Sequence, residues 1–250
     1  VFAPQFLPDV ALYQVLANQD RVVDGPANGS ELMTWTIAGS DNGKPFSLSF
    51  TDRWTGQDLA FQTAFNLVDV VARVNGIDGV TIDSVSTEAS VDDTLDRHTL
   101  TAIQQLRKGT WVTVTKKAPA RGTAGGTMRL RAVLGGTAGS KTLPLSPVTL
   151  PRNARGRVLL VAQGGDASYS FLEGRTITKI RTNLASQLRH DQVRVQVGTP
   201  DKVQFEYFGG DDDFFFFDGR RRASFVRTRT TAPQDFVVEG LRNLKVTIRR

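Results

Sequence analysis

TGQDLAFQTAFNLVDVVARVNG, residues 55–76, decides the fold. Phe61, Ala64, Phe65, Val68, Val71 and Ala72 recur at steps of three and four, which lays one apolar stripe along a helix. Thr55 with Asp58 three residues on reads as a capping box, and Asn75-Gly76 as the C-terminal stop. Almost everything around this segment reads as strand. A lone amphipathic helix must bury its stripe, and a sheet face is the surface on offer.

Upstream, Pro8-Asp9 suits a helix start, and Val10, Tyr13, Leu16 and Ala17 share one face of a short helix over residues 6–24. Residues 31–38 (ELMTWTIA) alternate, with Met33, Trp35 and Ile37 as the core face. Phe46, Leu48 and Phe50 alternate with serine. Between these runs, Asp41-Asn42-Gly43 predicts a hairpin, because Asn-Gly tolerates the positive φ that both central turn positions require. Val80, Ile82 and Val85 start another strand, so residues 1–90 read as a helix–hairpin–helix–strand unit.

From residue 91 the chain reads as short strands separated by turns. Strands are expected over 98–106, 111–114 and 127–134, the last with Met128, Leu130, Ala132 and Leu134 inward and Arg129 and Arg131 outward. Residues 141–150, broken by Pro144 and Pro147, suit an edge strand, and 158–162 follows. This spacing predicts an immunoglobulin-like sandwich without the cysteine pair of antibody domains. Ile177, Ile180, Leu184 and Leu188 stay in register over a helix at 176–189, read as inserted in a second unit spanning 91–250. Val193, Val195 and Val197 make one strand and Val203, Phe205 and Tyr207 the next. Leu244, Val246 and Ile248 face one way in a last strand that should be tied into a sheet. The expected fold class is mainly β (α+β), with immunoglobulin-like β-sandwich units and three amphipathic helices packed on sheet faces. Glycine-rich residues 121–127 and 135–140 read as loop tips, since neither matches a phosphate-binding motif.

Composition bounds the function. Hydrophobic residues make up 40% of 250, enough for a packed core, and no apolar run approaches a membrane span. The chain opens on Val without a signal peptide, which is expected of a fragment or a processed product. The absence of cysteine excludes disulfides, thiolate metal sites and cysteine nucleophiles. The net charge of +6 is a modest excess that favours an anionic polymer but lacks the concentrated stripe of a nucleic-acid binder.

Few residues offer chemistry. His98 lies in DTLDRHT, where Asp96 shares its strand face, but no G-x-S-x-G supplies a nucleophile. A solvated strand histidine is the expected role. His190 ends a helix, where the dipole favours a cation. Asp211, Asp212, Asp213 and Asp218 do not have the spacing of a calcium-binding EF-hand loop and read as acidic gatekeepers of the apolar run beside them. That run, Phe214, Phe215, Phe216 and Phe217, is followed by Asp218-Gly219 and then Arg220, Arg221 and Arg222. A two-residue turn would set rings against guanidinium groups. The seven residues form the candidate binding site; the plainer reading is two rings in the core and two covered by the arginines. No catalytic residue, metal or cofactor is expected.

Several short runs together resemble a known family. Leu16-Ala17-Asn18, Asp20-Arg21-Val22, Thr34-Trp35-Thr36-Ile37, Asn42-Gly43-Lys44-Pro45-Phe46 and Asp52-Arg53 occur in an order similar to actinobacterial exported proteins that carry a SpoIVB-like serine peptidase domain. The resemblance is to the region after that domain and is clearest over residues 10–110. The family's Gly-x-Ser-Gly-Ser-Pro type turn is missing, so no catalytic residue carries over. What the resemblance implies is a non-catalytic β-rich accessory part, extracellular or at the cell surface. A protein partner or self-association, or an anionic cell-surface polymer, would then be its partner, with no specific nucleic acid and no membrane span. A serine hydrolase component and a structural subunit of a surface or particle assembly are the alternatives.

Overall fold

The computed structural model describes residues 4–23, 28–57, 59–136, 139–156, 158–167, 174–200, 202–203 and 225–249. It is mainly β, with three α-helices and several antiparallel sheets. The chain divides into two compact units that are not consecutive halves. The first comprises Val1–Arg97, Ser170–Asp191 and Asp235–Val237; the second comprises His98–Tyr169, Gln192–Gln234 and Val238–Arg250.

In the first unit, helix α1 (Leu7–Val23) precedes strands β1 (Gly29–Asp41) and β2 (Lys44–Gly56). Helix α2 (Leu59–Asn75) and strand β3 (Val80–Asp92) follow. Helix α3 (Ile177–Ser186) returns to this unit from far along the chain. The sheet is antiparallel in the order β2-β1-β3. Asn42 at φ 49° and Gly43 at φ 79° turn β1 into β2, so the expected hairpin forms with Asp41 opposite Lys44. That register sets Trp35 beside Phe50 and Ile37 beside Leu48. Met33, Trp35, Ile37, Phe46, Leu48 and Phe50 are all buried, as their alternation predicts. The opposite face is polar, with Thr34 hydrogen-bonded to Thr51 at 2.8 Å and Thr36 to Ser49 at 3.2 Å.

All three helices bury residues in one core with this sheet. The α3 stripe Ile177, Ile180 and Leu184 is buried as expected, whereas α1 and α2 depart from the periodic reading. On α2 the buried residues are Leu59, Thr63, Ala64, Leu67, Val70, Val71 and Val74. Phe61 and Phe65 are exposed, stacked edge to face with centroids 4.5 Å apart, and Ala72 is exposed too. Of the expected stripe Ala64 and Val71 are buried and Val68 is half-buried, while the face that packs on the sheet is centred on Leu67, Val70 and Val74. On α1, Ala11 and Val15 are buried while Tyr13 and Ala17 are exposed. Thr55 does not cap α2, because β2 runs on through Gly56 and the Thr55 hydroxyl accepts a hydrogen bond from Arg97 Nε at 3.1 Å. Asp58 lies outside the described residues.

Helix α3 starts on the N-cap Thr176, whose hydroxyl accepts from Lys179 N at 3.2 Å. It buries Ile177, Ile180 and Leu184 in the core of α1, α2 and the three-stranded sheet. The helix read as an insertion in the second unit thus completes the first.

Among the described residues the second unit holds twelve strands: β4 (Arg97–Arg107), β5 (Thr110–Thr113), β6 (Ala120–Thr123), β7 (Thr127–Met128), β8 (Leu130–Gly136) and β9 (Gly139–Pro144), then β10 (Val148–Thr149), β11 (Val158–Gly164), β12 (Val193–Gly198), β13 (Val226–Thr230), β14 (Val237–Glu239) and β15 (Leu241–Arg249). They form one sheet in the order β13-β12-β11-β15-β6 and another in the order β14-β4-β8-β9, with β5 paired to β4 and β7 to β10. β9 is an edge strand, as Pro144 requires, and the inward residues of β8 are buried as expected. β15 lies between β11 and β6, which ties down the last strand. Val203 is buried but outside any strand, and Phe205 and Tyr207 lie outside the described residues.

Candidate functional site

The aromatic and arginine residues singled out from the sequence, Phe214, Phe215, Phe216, Phe217, Arg220, Arg221 and Arg222, lie outside the described residues, as do Asp211, Asp212, Asp213 and Asp218. Among the described residues no group of three or more His, Asp or Glu side chains is arranged to hold a metal. No helix there is long and apolar enough to cross a membrane.

His98 is not solvated. It is 1% exposed on β4, and its ring stacks so closely on Gly136 that a Cβ at that glycine would strike Nδ1. Gly136 is therefore required by the imidazole packed on it. His190 is not at a helix end either, since α3 stops at Ser186. Its Nδ1 lies 2.9 Å from Asp52 Oδ2, and its backbone N–H donates to Asp52 Oδ1 at 2.8 Å. Asp52, on β2 and 1% exposed, also accepts from Arg53 N at 2.8 Å. The His190 ring lies 5.7 Å from Trp54. One residue on, Asp191 is 1% exposed and receives a forked bond from Arg189, Nε at 3.0 Å and Nη2 at 2.6 Å.

These contacts join two segments 138 residues apart in the chain. An acid beside an imidazole is half of a hydrolytic triad in form. Here the carboxylate accepts two main-chain N–H groups and so fixes the segment that follows α3 against β2. Burial pushes the Asp191 carboxyl above its ordinary 3.8; the Arg189 bonds and charge oppose this, and the Asp52 charge adds to it. A raised carboxyl binds its proton more tightly in the folded than in the unfolded chain. Its contribution to stability is therefore largest at low pH and is lost as pH rises from 3.8 through the folded value. Urea midpoints of the protein and of Asp191→Asn, compared from about pH 4 to 7, should show the wild type losing ground as pH rises. A difference growing in the other direction would mean that Arg189 outweighs burial.

A cavity of about 170 Å³ opens between α1 and β3, lined by Leu7, Ala11, Val15, Leu67, Ile82 and Val85 among others. It is smaller than the roughly 300 Å³ at which small-molecule sites begin.

The second unit carries a clearer signal, one that whole-chain composition hides. Between Asp96 and Asp166 the sequence has no acidic residue and twelve basic ones. Over its three segments this unit has 22 Lys and Arg against eight Asp and Glu, a net +14; the first unit has nine against seventeen, a net −8. Among the described residues of the second unit, seventeen basic side chains face two carboxylates, Asp166 and Glu239. Glu239 accepts from the Thr99 hydroxyl at 2.6 Å.

Two of the basic side chains, Arg107 and Arg131, are held in place by neutral groups. Arg107, at the end of β4, donates from Nε to Gln105 Oε1 at 2.8 Å and from Nη2 to the Pro119 carbonyl at 2.6 Å. The buried Gln105 amide clamps the backbone of Arg121, donating to its carbonyl at 2.5 Å and accepting from its N–H at 2.9 Å. Burial, then the nearby charges of Arg121 and Arg249, hold the Arg107 guanidinium below the ordinary arginine range. On β8, Arg131 donates to Gln104 Oε1 at 2.7 Å and lies 4.4 Å over the Trp111 ring. Sequence reading missed this surface because the acidic first unit cancels much of its charge in the sum; a running count of carboxylates would have found it. No family model, curated protein or solved structure matches the chain.

Proposed function

We propose that the chain is a non-catalytic binding module, an accessory part of an exported protein, whose second unit engages an anionic polymer. The observation that carries this reading is the segregation of charge, +14 in one unit against −8 in the other. Repulsion among like charges costs folding stability; a bound polyanion neutralises those charges, and release of its own counterions drives the binding. The exported setting, at the cell surface and beside a SpoIVB-like peptidase, rests on the resemblance over residues 10–110. The two larger sheets of the second unit, antiparallel apart from the parallel β15–β6 pair, support retaining an immunoglobulin-like sandwich as its finer fold.

Titration of the full chain with fluorescent heparin tests the binding reading. Affinity should fall linearly with salt on a logarithmic plot, by roughly a hundredfold between about 50 and 200 mM NaCl if some four ionic contacts form. Absence of binding at the lower salt, or an affinity that salt does not move, would overturn it.

A further inference from the structure

We propose that Arg107, Arg121 and Arg249 form a seat for one tetrahedral oxyanion, a phosphate or sulfate group carried on an anionic polymer. The proposal rests on the polyanion reading above and assigns it to named residues.

Register places two of the three. β15 runs parallel to β6, with Thr247 opposite Arg121 and Arg249 opposite Thr123. Ala120 and Val246 turn inward and are buried, so Arg121, Thr123, Thr247 and Arg249 all stand on the outer face, where all four are exposed. Arg121 and Arg249 are diagonal neighbours on adjacent parallel strands, within reach of a common ligand for side chains of this length. The third arrives through Gln105. That buried amide grips both the Arg121 backbone and the Arg107 Nε, which ties the end of β4 to β6.

What surrounds the three matters as much as their closeness. Arg107 satisfies its Nε and Nη2 with a side-chain amide and a main-chain carbonyl, neither of which neutralises its charge. No acid lies in the stretch that carries Arg107 and Arg121. After burial, the charges of Arg121 and Arg249 lower the Arg107 pKa, so the three share one electrostatic neighbourhood. With Arg107 Nε and Nη2 engaged, its part in the seat is charge, while the exposed Arg121 and Arg249 offer the guanidinium donors that suit a tetrahedral oxyanion. Thr123 and Thr247, on the same face, add hydroxyl donors.

Two double variants of the full chain separate a seat from general attraction. R121Q/R249Q alters the outer pair, and R155Q/R227Q removes the same charge from exposed arginines elsewhere on the unit. Each is titrated with inorganic polyphosphate, heparin and poly-L-glutamate at one salt concentration, after thermal melts show an unchanged fold. The expected result is a loss of about tenfold or more with R121Q/R249Q on polyphosphate or heparin, against about threefold or less with R155Q/R227Q. On polyglutamate the two variants should fall alike. Loss confined to polyphosphate identifies phosphate as the group, and loss confined to heparin identifies sulfate. R121K/R249K keeps the charge but not the fork, so it should retain the salt dependence and lose the preference for tetrahedral groups. Equal losses for both glutamine doubles on every polymer would overturn the seat and leave the polyanion reading standing. Failure of the unaltered chain to bind any of the three would remove both.

Discussion

Trp35→Ala should lower the stability of the first unit by about 3–5 kcal/mol, the usual cost of deleting a large buried aromatic side chain. Trp35 is fully buried at the middle of β1, the central strand of its sheet, and its ring lies 5.9 Å from Phe50. Its Nε1 donates to Asn66 Oδ1 on α2 at 2.9 Å, so the same residue packs the core and ties helix to sheet. Truncation opens a cavity and removes the partner of a half-buried amide. Urea unfolding followed by the fluorescence of Trp54 reports the effect; with a slope of about 1–3 kcal/mol per molar, the midpoint should move down by 1 M or more. Trp111 lies in the second unit, and a variant lacking it separates the two signals. A midpoint shift below a few tenths of a molar would contradict the layered core described here.

Asp52→Ala should be the second most damaging change, at about 3 kcal/mol, because it leaves two main-chain N–H groups and an imidazole without their acceptor in a buried place. Asp52→Asn retains an oxygen for the two N–H groups and should recover part of the loss. Amide hydrogen exchange at His190 and along α3 distinguishes a local from a general effect. Exchange there should speed up in the alanine variant well before the unit unfolds. Unchanged protection at His190 would show that the carboxylate is not what holds this segment.

The β1–β2 hairpin was legible because its signals are local. Period-two alternation places Met33, Trp35 and Ile37 on one face, and Asn42-Gly43 fixes the register that brings Phe50 beside Trp35. The existence of α2 was legible too, but its phase was not. A helix with Phe61 and Phe65 on one side and Leu67 and Val74 on another has no single apolar face, and only the sheet it meets decides between them. For α3 the stripe was readable and its partner was not, since nothing in Ile177, Ile180 and Leu184 says which unit they enter. The Asp52–His190 pair spans too much chain for any window to catch. The basic surface was written plainly in the absence of carboxylates between Asp96 and Asp166, yet a whole-chain sum of +6 concealed it.

The first unit is closed by a helix made long after the rest of it. When Arg97 leaves the ribosome, the sheet, α1 and α2 can form, but Ile177, Ile180 and Leu184 are still about eighty residues from synthesis. At about 5–20 residues per second, the hydrophobic ground that α3 covers stays wet for roughly four to sixteen seconds of translation. A polypeptide stopped at residue 97 would leave that apolar ground uncovered.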